Sequence, residues 1–67
     1  MIKIIYSKHA SDKRILYGLT KEQIERAVVR GATSPQTEGY LASYREIRIA
    51  YKKLGNNIYY LKTIYTN

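Results

Sequence analysis

The apolar positions divide the chain into strand-like and helix-like stretches. Residues 2–6 (Ile-Lys-Ile-Ile-Tyr) are rich in β-branched and aromatic side chains and predict a first strand. Ser7 then stands where it can cap a short helix over residues 8–17. Ala10, Ile15, Leu16 and Tyr17 make no clean apolar stripe on that helix, and Gly18 ends it. A second helix is marked more sharply. Thr20-Lys-Glu-Gln23 has the form of a capping box, and Leu19 with Ile24 forms a hydrophobic staple across it. Ile24, Ala27 and Val28 give a buried stripe, Lys21, Glu22, Glu25, Arg26 and Arg30 face water, and Gly31 stops the helix.

Residues 32–39 hold Pro35 and Gly39 among polar residues and predict a loop, followed by a short strand at Tyr40-Leu41-Ala42. From Tyr44 to Lys53 the pattern alternates. Ile47, Ile49 and Tyr51 fall on one face, and Glu46, Arg48, Ala50 and Lys52 on the other. Gly55-Asn56-Asn57 signals a turn, and Ile58 to Thr66 is β-rich almost throughout, as in a central strand partly covered on both faces. The expected fold is α+β, in the order β-α-α-β-β-β. Two N-terminal helices pack on one face of a small antiparallel sheet, leaving the other face open to solvent or a partner.

Length and composition narrow the function. With 67 residues there is one domain, and about 60% of the unfolded surface can be buried. A deep substrate cavity does not fit, so any site is a shallow groove or patch. There are no cysteines and only one histidine, which removes disulfides, thiolate metal sites and a structural zinc site, and no cofactor is implied. No apolar run approaches the ~20 residues of a membrane span, and the apolar opening is too short for a signal peptide. A soluble, cytoplasmic protein with no membrane partner is expected.

Charge changes the picture most. Twelve Lys and Arg against five Asp and Glu give a net charge of +7, which attracts polyanions at long range. Eight tyrosines, with no Phe or Trp, suit strands and cores, and one or two of them can also stack on bases.

The segment from His9 to Thr20 (His-Ala-Ser-Asp-Lys-Arg-Ile-Leu-Tyr-Gly-Leu-Thr) resembles the opening of the domain-of-unknown-function family numbered 4258, in which a His-Ala pair, a basic residue and Gly-Ile-Thr precede an acidic helix. The ending Tyr60-Leu-Lys-Thr-Ile-Tyr65 resembles that family's closing strand. The family is similar in organisation to BrnT toxins and, more distantly, to the RelE/ParE toxin superfamily. The resemblance implies that residues 1–67 form a single RelE/BrnT-like domain. It also implies a toxin-like activity, RNA cleavage or gyrase inhibition, held in check by an antitoxin. His9 matches the family histidine and Lys13 a position usually held by Arg. Tyr17 stands where a second Arg is common, and Arg14 where an apolar residue is common.

Helical spacing puts His9, Lys13 and Tyr17 on one face. Metal-independent RNA cleavage needs a base for the 2′-hydroxyl proton, cations for the charge growing on phosphorus, and an acid for the departing 5′-oxygen. His9, Lys13 and Tyr65 are the catalytic candidates, Tyr65 because small RNA-cleaving toxins often use a residue of the last strand. His9 has an alternative role as a helix cap or a partner for a strand carbonyl, and Tyr65 as a sheet aromatic. Arg14, Arg45, Arg48, Lys52 and Lys62 are the candidate RNA-binding cations. Arg has a planar fork suited to phosphate, whereas Arg48 and Lys52 also fit a solvated strand face. Lys62, inside an apolar strand, is expected on the open side of the sheet, touching phosphate or pairing with Glu46. Glycine-rich phosphate loops, paired carboxylates and a Ser-His-Asp set are absent from the sequence.

Three readings follow. The chain is a toxin-like, metal-independent endoribonuclease acting on RNA, including ribosome-bound mRNA, and held by an acidic antitoxin protein. Alternatively it is a non-catalytic nucleic-acid-binding module, or a protein-interaction module that forms a homodimer or a complex.

Overall fold

The computed structural model describes residues 2–66. The chain runs through β1 (Lys3–Tyr6), α1 (Lys8–Leu16), α2 (Lys21–Arg30), β2 (Ala32–Gln36), β3 (Gly39–Tyr44), β4 (Ile47–Gly55) and β5 (Ile58–Thr66). The strands form one sheet in the order β1-β5-β4-β3-β2. This is the expected α+β arrangement, with helices against a sheet and the long closing strand in its interior.

Local chemistry sets the helix ends. The Ser7 hydroxyl accepts the N–H of Ala10 at 3.0 Å and donates to the Lys62 carbonyl at 3.0 Å, so one side chain caps α1 and ties its start to β5. At α2 the capping box is complete. Gln23 N–H reaches the Thr20 hydroxyl at 3.1 Å, and Thr20 N–H reaches Gln23 Oε1 at 2.8 Å. Gly31 is required by close approach. A Cβ there would lie 2.4 Å from the Ala27 carbonyl oxygen and 2.8 Å from that of Ser43. Only glycine lets α2 pass directly into β2 against β3.

Both helices share one side of the sheet. Ala10 of α1 and Ile24, Ala27 and Val28 of α2 form a single buried cluster with Ala42, Ile47, Ile49, Tyr51, Leu61 and Ile64. α1 contributes little to it. Ala10 is its one buried residue, while Ile15 and Leu16 are 67% and 70% exposed, in keeping with the missing apolar stripe.

Three features depart from the sequence expectation. The sheet is mixed rather than antiparallel, because β1 pairs parallel to β5 while the other three pairings are antiparallel. The connection between this parallel pair runs through both helices, which carry the chain to the far edge, and back through β2, β3 and β4. Residues 32–36, expected as loop, form β2, an exposed edge strand pairing only with β3. Pro35 is tolerated there because an edge strand need not donate on its outer side. The alternating stretch 44–53 is also not one strand. Tyr44 ends β3 and Arg45-Glu46 form the turn into β4. That turn holds Arg45 at φ 55, in the left-handed region.

A bulge in β5 completes the framework. Tyr51 pairs with Leu61 but Ala50 pairs with Thr63, so Lys62 is the extra residue. Leu61 and Ile64 can then both reach the core although they are three positions apart.

Candidate nucleic-acid interface

Residues directly opposed across neighbouring strands share a face, and successive residues alternate. The register therefore assigns two faces. Ile47, Ile49 and Tyr51 of β4 belong with the helices, being buried in the cluster. Arg48, Ala50 and Lys52 belong to the helix-free face. There Arg48 opposes Tyr65, Ala50 opposes Thr63 and Lys52 opposes Tyr60. Ile5 of β1 stands beside Tyr60, and Lys3 beside Ile58. Leu41 and Ser43 of β3 extend the face beyond β4.

Two tyrosine–cation pairs thus flank a small central pair, Ala50–Thr63. Arg48 and Lys52 are four residues apart on one strand, about 13 Å at the rise of a β-strand. None of the five carboxylate side chains lies on a strand: Asp12 is on α1, Glu22 and Glu25 are on α2, and Glu38 and Glu46 are in hairpin turns. Of the strand cations, Lys3, Arg48, Lys52 and Lys62 belong to the helix-free face and Lys53 to the other, beside Tyr59, and the strands carry no acidic side chain. This face can attract an anionic chain and offer it phenol rings.

The sequence-selected residues separate into two layers. Arg48, Lys52 and Tyr65 meet on the helix-free face, where Tyr65 is 50% exposed. Lys62 lies on the same side by virtue of the bulge, and its ammonium donates to the main-chain carbonyl of Glu38 in the β2–β3 turn rather than pairing with Glu46. It clamps that turn. His9 and Lys13 lie on α1, in the helix layer, so the set His9, Lys13 and Tyr65 is divided between the two sides of the sheet. His9 is exposed. The Lys13 ammonium sits 5.7 Å from the centre of the Tyr17 ring, which joins these two as the helical spacing suggested.

Arg14 is occupied within the fold. It donates to the Leu19 carbonyl at 3.1 Å and lies 5.7 Å from the Tyr6 ring centre, bracing the α1–α2 connection. Arg45 lies 5.6 Å from the Tyr44 ring centre at the end of the sheet. It helps to line a groove of about 580 Å³ with Tyr17, Leu19, Gln23, Glu46, Ile47 and Thr66.

Two tyrosines have perturbed acidities. Burial pushes the Tyr51 phenol above its ordinary value, opposed by hydrogen bonding to Thr33 and assisted by neighbouring Tyr59 and Tyr40. The three rings form a row, with Tyr40 stacked on Tyr51 at 5.7 Å and Tyr59 edge-on to it at 5.4 Å. Burial also raises Tyr6, with Arg14 pulling it down and Glu25 pushing it up. Both phenols belong to the helix side and serve packing.

Sequence reasoning passed over Tyr60, the partner of Lys52. The signal was available in the alternation of β4 but needed the β5 register, which the bulge shifts. Among the described residues, no three His, Cys, Asp or Glu gather closely enough to hold a metal ion. No helix among them is long and apolar enough to cross a membrane. Compared with protein-family models, characterised proteins and solved structures, the chain matches none.

Proposed function

We propose that the chain binds single-stranded RNA across the helix-free face of its sheet. The observation that carries this reading is the pairing of Tyr60 with Lys52 and of Tyr65 with Arg48 on a sheet without acidic side chains. Cations spaced along the strand neutralise phosphates, and aromatic rings stack on bases irrespective of sequence. A shallow, open face suits an extended strand better than a small molecule. Amide chemical-shift mapping with a single-stranded oligonucleotide tests the reading. Shifts should concentrate on β4 and β5, and shifts confined to α1 and α2 would contradict it.

A second reading, toxin-like metal-independent cleavage under the control of an acidic antitoxin, is favoured by one pair. Arg48 and Tyr65 put a guanidinium and a phenol side by side on the same face. In such a cleavage the 2′-hydroxyl gives its proton to solvent water, its oxygen attacks phosphorus and the bond to the 5′-oxygen breaks, leaving a 2′,3′-cyclic phosphate and a 5′-hydroxyl. Arg48 would hold the phosphate, and the Tyr65 phenol would deliver the proton to the departing oxygen. His9, on the other layer, is poorly placed to serve as base for that phosphate. End-group analysis of RNA incubated with the protein in chelator tests this reading, since cyclic phosphate ends are expected from wild type and not from Tyr65→Phe.

A further inference from the structure

The turn between β3 and β4 breaks a local rule that the rest of the chain obeys. Where the backbone must enter the left-handed region at the β4–β5 turn, the residue is Asn57, at φ 61. At the start of β3 and after α1 it is glycine, Gly39 and Gly18. Asn and Gly adopt this conformation most readily. At the β3–β4 turn the residue is Arg45, at φ 55. Its side chain offers no local hydrogen bond of the kind that eases Asn into this region. A residue kept against its backbone preference points to a task for its side chain.

The surroundings indicate the task. Arg45 lines the groove together with Tyr17 and Leu19 of the α1–α2 connection. Leu19, Ile47 and the Tyr17 ring give the groove apolar walls, and about 580 Å³ is enough for one nucleotide. Gln23 lies on the groove with its Oε1 already engaged by the Thr20 N–H, so only its NH₂ remains to donate. Arg45 and Gln23 therefore present donors, from guanidinium and amide, toward a ligand rich in acceptors, with the Glu46 carboxylate beside them. It lies on the helix side of the sheet, at the end where the Arg48–Tyr65 pair stands on the other face. Ile47–Thr66, which line the groove, are the pair next to Arg48–Tyr65 in the β4–β5 register.

We propose that this groove takes the nucleotide that follows the RNA segment on the helix-free face, with Arg45 on its phosphate and the base between Tyr17, Leu19 and Ile47. The strand rounds the end of the sheet at the β3–β4 turn, and Arg45 fixes where it does so. This rests on the RNA-binding reading and adds to it a second contact zone and a minimum length of RNA. Among the described residues Glu46 is the one carboxylate lining the groove, and it disfavours a second phosphate there.

The test compares wild type with Arg45→Gly and Arg45→Asn, using end-labelled oligouridylates of about four and about eight nucleotides, lengths within the range a small sheet-based site covers. Both variants suit the left-handed backbone, so their melting temperatures should equal or exceed that of wild type. Their affinity for the longer oligomer should fall about tenfold, as expected for loss of a charge-assisted contact, and their affinity for the shorter one should hold. A lowered melting temperature would assign Arg45 to packing on Tyr44 and overturn the proposal, as would an equal loss at both lengths. If the Arg45 variants bind like wild type while Arg48→Ala binds weakly, the groove proposal fails and the sheet-face reading stands. If wild type binds neither oligomer, the sheet-face reading itself fails and takes the groove with it.

Discussion

Arg48 and Tyr65 oppose each other across β4 and β5 on the face of the sheet that carries no helix. The relationship puts a guanidinium next to an exposed phenol, so the proposed binding and the proposed cleavage can be tested on different side chains. Arg48→Ala should weaken single-stranded RNA binding about tenfold. Tyr65→Phe keeps the ring and should leave binding within about twofold, because stacking does not need the hydroxyl. If the chain also cleaves RNA, Tyr65→Phe should abolish cleavage while binding persists. Fluorescence anisotropy and end-group analysis on the same samples would show the split.

His9 occupies the opposite layer, exposed on α1. His9→Ala should therefore leave RNA affinity unchanged, whether measured at low or moderate salt. A marked loss would move the interface to the helix side.

Arg14 acts inside the fold, through its bond to the Leu19 carbonyl and its position over Tyr6. Arg14→Ala should lower stability by about 1 kcal/mol, in the range of a single part-buried hydrogen bond. RNA affinity should change by no more than the loss of one remote charge allows. Urea denaturation and anisotropy, run side by side, check the two halves of this expectation.

The parts of the structure that were legible in the sequence are those encoded by neighbours along the chain. Ser7, Thr20 and Gln23 announced their helix ends because capping is a matter of a few residues. Ile47, Ile49 and Tyr51 announced the buried face of β4 because alternation is local. Edge strand β2 could not be read. Its residues are all exposed, so no apolar pattern marks it, and its pairing with β3 depends on Gly31 admitting a close approach. Likewise, β5 reads as β-rich with no clear alternation because the bulge at Lys62 interrupts it. Of the candidate site, Arg48, Lys52 and Tyr65 were identified individually, but Tyr60 and the division of His9 from Tyr65 required the register and the layer order.

The buried phenols give a pH dependence. Tyr6 and Tyr51 both have folded-state acidities shifted upward from the ordinary value of 10.0. The folded state holds these protons more tightly than the unfolded chain. The corresponding stabilisation is complete below the unfolded value and is lost as pH rises through the folded ones. Unfolding midpoints should be flat for these groups up to about pH 9 and fall above about pH 10. Tyr51→Phe, which cannot ionise, should shallow that decline, and an equal decline in the variant would remove Tyr51 as its source.

The most direct test of the account is the salt dependence of single-stranded RNA binding by wild type and by Arg48→Ala/Lys52→Ala. Each phosphate neutralised on a single strand contributes about 0.7 to the slope of log affinity against log salt. Wild type should bind with a steep negative slope, and the double variant should bind more weakly with a slope shallower by about 1.4. An unchanged slope in the double variant, or no binding by wild type at low salt, would contradict the assignment of the helix-free face to RNA.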